Sequence, residues 1–180
     1  MFFDFVLAIG GVMSEKIERH TMSVLVENEP GVLARVIGLF AGRGYNIESL
    51  TVAEVDVVEN LSRVNLVTTG SPMIIEQIKN QLDRLVPVRT VSDLTAEGSY
   101  VERELALIKV VSIGEKRVES LRIADIFRAH VVDSENDSFV FEMTGKPSKI
   151  DAFVRLMEPL GLTEISRTGV SAMLRGKRSL

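Results

Sequence analysis

Apolar residues recur along this chain at two spacings, and the changes from one to the other mark out its elements. The first regular pattern starts at Thr21. Met22, Val24 and Val26 alternate with Thr21, Ser23 and Leu25, which predicts a short, largely buried strand ending at Asn28-Glu29-Pro30-Gly31. In the following GVLARVIGLFAGRG the period becomes helical. Val32, Leu33, Val36, Ile37, Leu39 and Phe40 fall on one face, with Pro30 suited to the first turn and Gly44 to the C-terminal stop. Tyr45 to Asp56 and Leu61 to Thr69 are rich in Val, Ile, Leu and Thr and flank the turn Glu59-Asn60, so they read as a hairpin. Ser71-Pro72 restarts a helix whose apolar stripe is Ile74, Ile75, Ile78, Leu82 and Leu85, and Val86 to Leu94 closes the set as a strand.

This order is β-α-β-β-α-β. Under the right-handed crossover rule it folds into a four-stranded antiparallel sheet with both helices on one face, the ferredoxin-like arrangement. After the small polar stretch Thr95-Ala96-Glu97-Gly98-Ser99, read as a linker, the order repeats. Leu105 to Val111 is a strand. Glu115 to Arg128 carries Val118, Leu121, Ala124 and Phe127 at helical spacing, and His130 to Asp133 and Phe139 to Met143 flank the turn Ser134 to Asp137. Pro147 opens a helix with Ile150, Phe153, Val154, Met157 and Leu160, and Gly161 suits its C′ position. Leu162 to Ile165 closes the second sheet, and Gly169 to Leu174 adds a short strand. The expectation is an α+β protein of two tandem ferredoxin-like βαββαβ domains, residues 21–95 and 96–180, after an N-terminal extension of residues 1–20.

Length and composition narrow the function. With 180 residues there is room for two small domains, not for a dinucleotide-binding domain plus a substrate domain. Residues 1–12, MFFDFVLAIGGV, are apolar but shorter than the roughly 20 residues of a bilayer span, and they lack a basic n-region. They read as an appendage, with Met13 as the expected translation start and a peripheral anchor as the alternative. Lys plus Arg total 21 against 25 Asp plus Glu, a net charge of −4, which argues against a nucleic-acid partner. The strand Leu61 to Thr69 has no aromatic on which a base would stack, and the basic tail Arg175-Gly176-Lys177-Arg178 is brief. With no cysteine there is no disulfide framework or thiolate nucleophile, which fits a cytoplasmic location.

Catalytic groups are not visible. Phosphate-binding glycine loops, HExxH, GxSxG and EF-hand patterns are missing, and Asp133 with Glu135 reads as solvated charge in a turn. His20 and His130 have no ligand-spaced neighbours, so no metal is expected. The junction Glu27-Asn28-Glu29-Pro30-Gly31-Val32-Leu33 stands apart. Free N–H groups at a helix start, with the positive end of its dipole, receive a carboxylate, Gly31 lets a ligand approach the backbone, and the Asn28 amide both accepts and donates. Such a loop suits the charged end of a free amino acid. Spacing alone also admits the simpler reading, in which Asn28 and Pro30 start the helix and Gly31 relieves crowding.

The stretch Asn28-Glu29-Pro30-Gly31-Val32-Leu33-Ala34-Arg35 resembles the opening of an ACT domain, and RVIGLFAGRGYNIESLTVAE, Arg35 to Glu54, resembles the regulatory small subunit of acetohydroxyacid (acetolactate) synthase. VEREL at Val101, DIFRAHVVD at Asp125, KIDAF at Lys149 and SRTGVSAMLRG at Ser166 fit the same family, so the resemblance runs from about Thr21 to Lys177. It implies a non-catalytic homodimer that binds and activates a large catalytic subunit and confers feedback inhibition by valine. Thiamine diphosphate, Mg and FAD are expected on that large subunit and none on this chain. By the family's motif, Asn28 and Gly31 bind the effector's charged groups and Asn46 of the neighbouring chain completes the site, with Leu33 and Ile47 as weaker lining candidates. The corresponding loop of the second half, Ser112-Ile113-Gly114-Glu115, lacks the Asn and the Pro-Gly. Two other readings are a free-standing amino-acid-responsive regulator, for which no helix-turn-helix is found, and an independent enzyme.

Overall fold

The computed structural model describes residues 16–180; the apolar segment 1–12 and the Met13 start lie outside the described residues. Strand β1 (Glu18–Glu27) runs through the middle of the first sheet. It begins inside the predicted extension, because Glu18, Arg19 and His20 pair with Gly70, Thr69 and Thr68, and a backbone ladder needs no apolar side chains. Helix α1 (Val32–Ala41), strands β2 (Ser49–Asp56) and β3 (Leu61–Gly70), helix α2 (Pro72–Asp83) and strand β4 (Val88–Asp93) follow. The sheet order is β2-β3-β1-β4, antiparallel throughout. Met22, Val24, Val64 and Leu66 on one face of the sheet meet Val36, Leu39 and Phe40 of α1 and Ile75, Ile78 and Leu82 of α2 in one buried cluster.

Pro30 does not enter the first helix. Gly31, at φ 87° and ψ −6°, is the N-cap of α1, and its left-handed backbone turns the chain between the proline and the first helical residue, Val32. The predicted linker also differs, since Leu94–Glu97 forms a short helix, α3. The Asp93 carboxylate accepts the amides of Thr95 and Ala96 at 3.1 and 3.3 Å, a capping role that a loop-like composition hides.

Strand β5 (Tyr100–Val111) starts earlier than its apolar alternation. Its first four residues pair with β9 (Ser171–Leu174), and its remainder lies between β7 (Ser138–Gly145) and β8 (Leu162–Arg167). With α4 (Gly114–Phe127), β6 (His130–Ser134) and α5 (Pro147–Met157), the second sheet has the order β6-β7-β5-β8 and repeats the topology of the first. Ala106, Ile108, Val110, Phe139, Phe141 and Met143 pack beneath Ile123 and Ala124 of α4 and Ile150, Phe153 and Met157 of α5. Gly161, at φ 108°, has no alternative: a Cβ there would lie 2.1 Å from the Val111 carbonyl oxygen. The chain is thus two tandem ferredoxin-like βαββαβ units, each with its helices on one face of an antiparallel sheet.

The other face of the first sheet is partly covered by the end of the chain. Val67 of β3, Leu94, Val170 and Ala172 form a buried cluster, with Tyr100, Leu174 and Leu180 packed around it. Ser49 Oγ accepts the Val170 amide and Thr51 Oγ1 donates to the Val170 carbonyl, each at 2.8 Å. Arg19 of β1 reaches Glu102 of β5 at 3.3 Å.

Candidate functional site

The loop between β1 and α1 is held from below by the turn at the end of β2. The Asn28 amide donates to the Asn60 carbonyl at 2.7 Å, and Asn60 Nδ2 returns a hydrogen bond to the Asn28 carbonyl at 3.3 Å. Asn60 is itself left-handed at φ 53°. With its backbone pinned at both groups, Asn28 presents an exposed side-chain amide that makes no hydrogen bond to the described residues. Among the described residues no side chain caps α1, so the helix-starting role that spacing allowed for Asn28 is not the one it plays. Among the described residues nothing lies within 4 Å of a Cβ built on Gly31. Glycine is there for its left-handed backbone, not to relieve crowding, and the space in front of the helix start is open to a carboxylate.

Asn46 lies elsewhere. Its carbonyl accepts Thr68 Oγ1 at 2.6 Å, its residue is exposed, and it precedes the start of β2, whereas Asn28 is tied through Asn60 to the far end of that strand. The eight residues of β2 span about 26 Å at roughly 3.3 Å per residue. One chain therefore does not bring Asn28 and Asn46 together. Of the weaker candidates, Leu33 is 38% exposed beside the loop, while Ile47 is partly buried and packs against the first core. Asn60 is the residue that sequence reasoning missed. It was visible only as half of a turn, and its hydrogen bond to a loop 32 positions away had no local signal.

The other polar residues singled out from the sequence have structural partners or lie exposed. His20 Nδ1 lies 2.7 Å from Asp93 Oδ2, the carboxylate that also caps α3, so this is a packed histidine. His130 is on the exposed strand β6, and Asp133 and Glu135 are exposed beside the turn. Arg167 donates to both oxygens of Glu104 at 2.8 and 2.7 Å and to Asp151 at 2.7 Å. The hydrogen bonds to Glu104 raise the Arg167 pKa above its ordinary value against the opposing effect of desolvation. Among the described residues no three or more His, Cys, Asp and Glu side chains are grouped to hold a metal, and no helix is long and apolar enough to cross a membrane.

A ferredoxin-like unit whose first helix is opened by a left-handed glycine, followed by a second unit of the same topology, defines an ACT-type protein, and the model of the acetohydroxyacid synthase small subunit-like ACT domain matches residues 22–90. A second family model, the small subunit of acetolactate synthase, matches residues 103–176. The chain is 46% identical over 161 residues to the acetolactate synthase small subunit of Aquifex aeolicus, covering 89% of this chain and 83% of that one. It is 44% identical over 163 residues to that of Haemophilus influenzae, covering 90% and 99%. The crystal structure of the acetolactate synthase small subunit from Thermotoga maritima superposes with a TM-score of 0.79 at 40% identity, over 89% of this chain and 99% of that one. The chain belongs to the acetolactate synthase small subunits.

Proposed function

We propose that this chain activates the large catalytic subunit of acetolactate synthase and makes it sensitive to valine, which binds between the first domains of two copies. In this reading residues 21–95 are the amino-acid-binding domain and residues 96–180 a second domain. Thiamine diphosphate, Mg and FAD belong to the large subunit, and the complex is cytoplasmic. The observation that supports it is the separation of Asn28 and Asn46 along β2. Among the described residues strand β2 is an edge, paired with β3 only. Val52 and Val55 on it are 44% and 50% exposed, and Leu33 and Ile37 of α1 are exposed nearby in sequence to the loop. Two such edges paired antiparallel about a two-fold axis set the start of one β2 beside the end of the other. The partner's Asn46 then stands near Asn28 and Gly31, and two half-sites become whole sites.

A ligand held across that contact stabilises one packing of the two chains over another, by no more than its difference in affinity for the two. The test is acetolactate formation from pyruvate by the cognate large subunit, with and without this chain, each with and without valine. Stimulation that valine reverses supports the reading. No change in rate or valine response on adding the chain sinks it.

A further inference from the structure

Three arginines in the helical layer of the first unit share one groove without a counter-charge. Arg35 on α1, Arg43 just beyond its end and Arg84 at the C-cap of α2 line a cavity of about 600 Å³ with Gln81, Leu39 and Leu85. All three arginines are exposed, and among the described residues none has a carboxylate within 4.0 Å. Elsewhere Arg89 and Arg122 hold one each and Arg19 and Arg167 two each, while, among the described residues, the other arginines stand singly without one. The patch is local, since the whole chain has a net charge of −4.

Helix ends explain only part of this. Arg43 and Arg84 follow the C-termini of α1 and α2, where a cation complements the dipole, but Arg35 lies in the body of α1. Three guanidinium charges set against two helix ends of about −0.5 each leave about +2 in the groove. Phosphate sites draw on backbone N–H groups at helix N-termini or nests. The helix ends here present carbonyls instead, so recognition falls to the guanidinium forks, which match carboxylates and phosphates two oxygens at a time, and the phosphate arm of the test below separates the two. Leu39 and Leu85 supply an apolar floor between the charges.

We propose that this groove docks an acidic segment of the catalytic large subunit; the inference rests on the reading above that such a subunit is the partner. Helix α1, ten residues and about 15 Å long, then connects the two events. The effector loop leads into its N-terminus, and its body and C-terminal end hold the partner, so a shift of one rod alters both.

The experiment measures binding of the full chain to the cognate large subunit at about 50 and 200 mM salt, as wild type, as Arg35→Glu/Arg43→Glu/Arg84→Glu, and as Arg122→Glu. Expected are wild-type affinity that falls with salt, a loss of about a hundredfold in the triple variant, and no change in Arg122→Glu, whose site is the exposed pair with Glu119. Thermal unfolding and valine binding by the free triple variant, both retained, separate a docking defect from misfolding. Should the triple variant fail to fold, Arg35→Gln, which keeps helix propensity, is expected to weaken binding about fivefold. Wild-type affinity in the triple variant, or in Arg35→Gln where that variant stands in for it, overturns the proposal. So does saturable binding of inorganic phosphate to the wild-type chain that the triple variant loses while its complex is unaffected. A wild-type chain that does not bind the large subunit at all refutes the partner reading itself, before any variant is compared.

Discussion

Ser49 Oγ accepts the Val170 amide at 2.8 Å, joining the strand that follows Asn46 to the segment entering β9 of the second unit. The neighbouring Gly169 is left-handed at φ 84°, and a Cβ on it would lie 2.8 Å from Ser49 Oγ and 3.1 Å from the Thr51 methyl. Gly169→Ala therefore meets both backbone strain, about 1–2 kcal/mol, and a close contact with its neighbours. A loss of about 2–3 kcal/mol is expected, read by calorimetry as a fall of roughly 5–10 °C in Tm. An unchanged Tm would show that the second unit does not hold β2 in this way.

Gly31 offers a sharper test of the effector site because its Cβ space is empty. Gly31→Ala is expected to cost about 1 kcal/mol through its left-handed φ while keeping amino-acid binding. Gly31→Asp adds a negative charge where the proposed site puts the effector's carboxylate. Titration calorimetry with valine should show at least a tenfold loss in the Asp variant and little in the Ala variant, on the order of 1.4 kcal/mol apart. Equal binding by both would remove Gly31 from the site.

Asn60 is expected to act through Asn28. Asn60→Gly keeps the left-handed turn but removes the Nδ2 donor to the Asn28 carbonyl, and one such bond contributes about 0.5–1.5 kcal/mol. Valine affinity should fall about threefold to tenfold, with the amide resonance of Asn28 shifted in the NMR spectrum of the free variant. Unaltered affinity with a shifted resonance would mean that the brace does not position the ligand.

The edge of β2 is expected to carry the contact between two copies. Val52→Asp sets like charges near the two-fold axis of an edge-to-edge pair and should drive the protein towards monomer in sedimentation equilibrium, with valine binding lost in parallel. A dimer that persists and still binds valine would place both the interface and the site elsewhere.

Stability of the second unit is expected to depend on Arg167. Glu104 is 6% exposed, and Arg167→Ala would leave its carboxylate buried without its main partner. Fully buried pairs lose about 3–5 kcal/mol on such truncation; Arg167 retains about a third of its exposure, so about 2–3 kcal/mol is expected in denaturant unfolding. Arg167→Lys should recover little, since one ammonium does not span both Glu104 oxygens and Asp151 together.

The two units also separate what belongs to the fold from what belongs to the site. Ser112 donates its amide to the Asp137 carbonyl at 2.7 Å, the same bond that Asn28 makes to Asn60, and Gly114 at φ 57° is left-handed at the start of α4 as Gly31 is before α1. The braced loop and its glycine therefore come with the topology. The exposed amide of Asn28 is the part that the second loop lacks, with a buried Ser112 in its place.

The main βαββαβ order of each unit, most of both cores and the loop at Asn28 were legible from residue order, because hydrophobic period, caps and turn residues act within a few positions of one another; on α4 the expected stripe was wrong, since Val118 and Leu121 are 69% and 37% exposed and Ser120 and Ile123 are buried instead. Three features were not legible. Tyr100 pairs with Leu174, Asn60 braces a loop 32 residues away, and Ser49 holds an amide 121 residues away, and each bond depends on sheets that must form first. The same holds for the arginine groove: Arg35, Arg43 and Arg84 are ordinary surface residues in sequence and share a cavity only when α1 packs beside α2. Local chemistry determined the elements and the candidate residues; the tertiary structure decided which of them meet, and it set Asn28 and Asn46 at opposite ends of one strand.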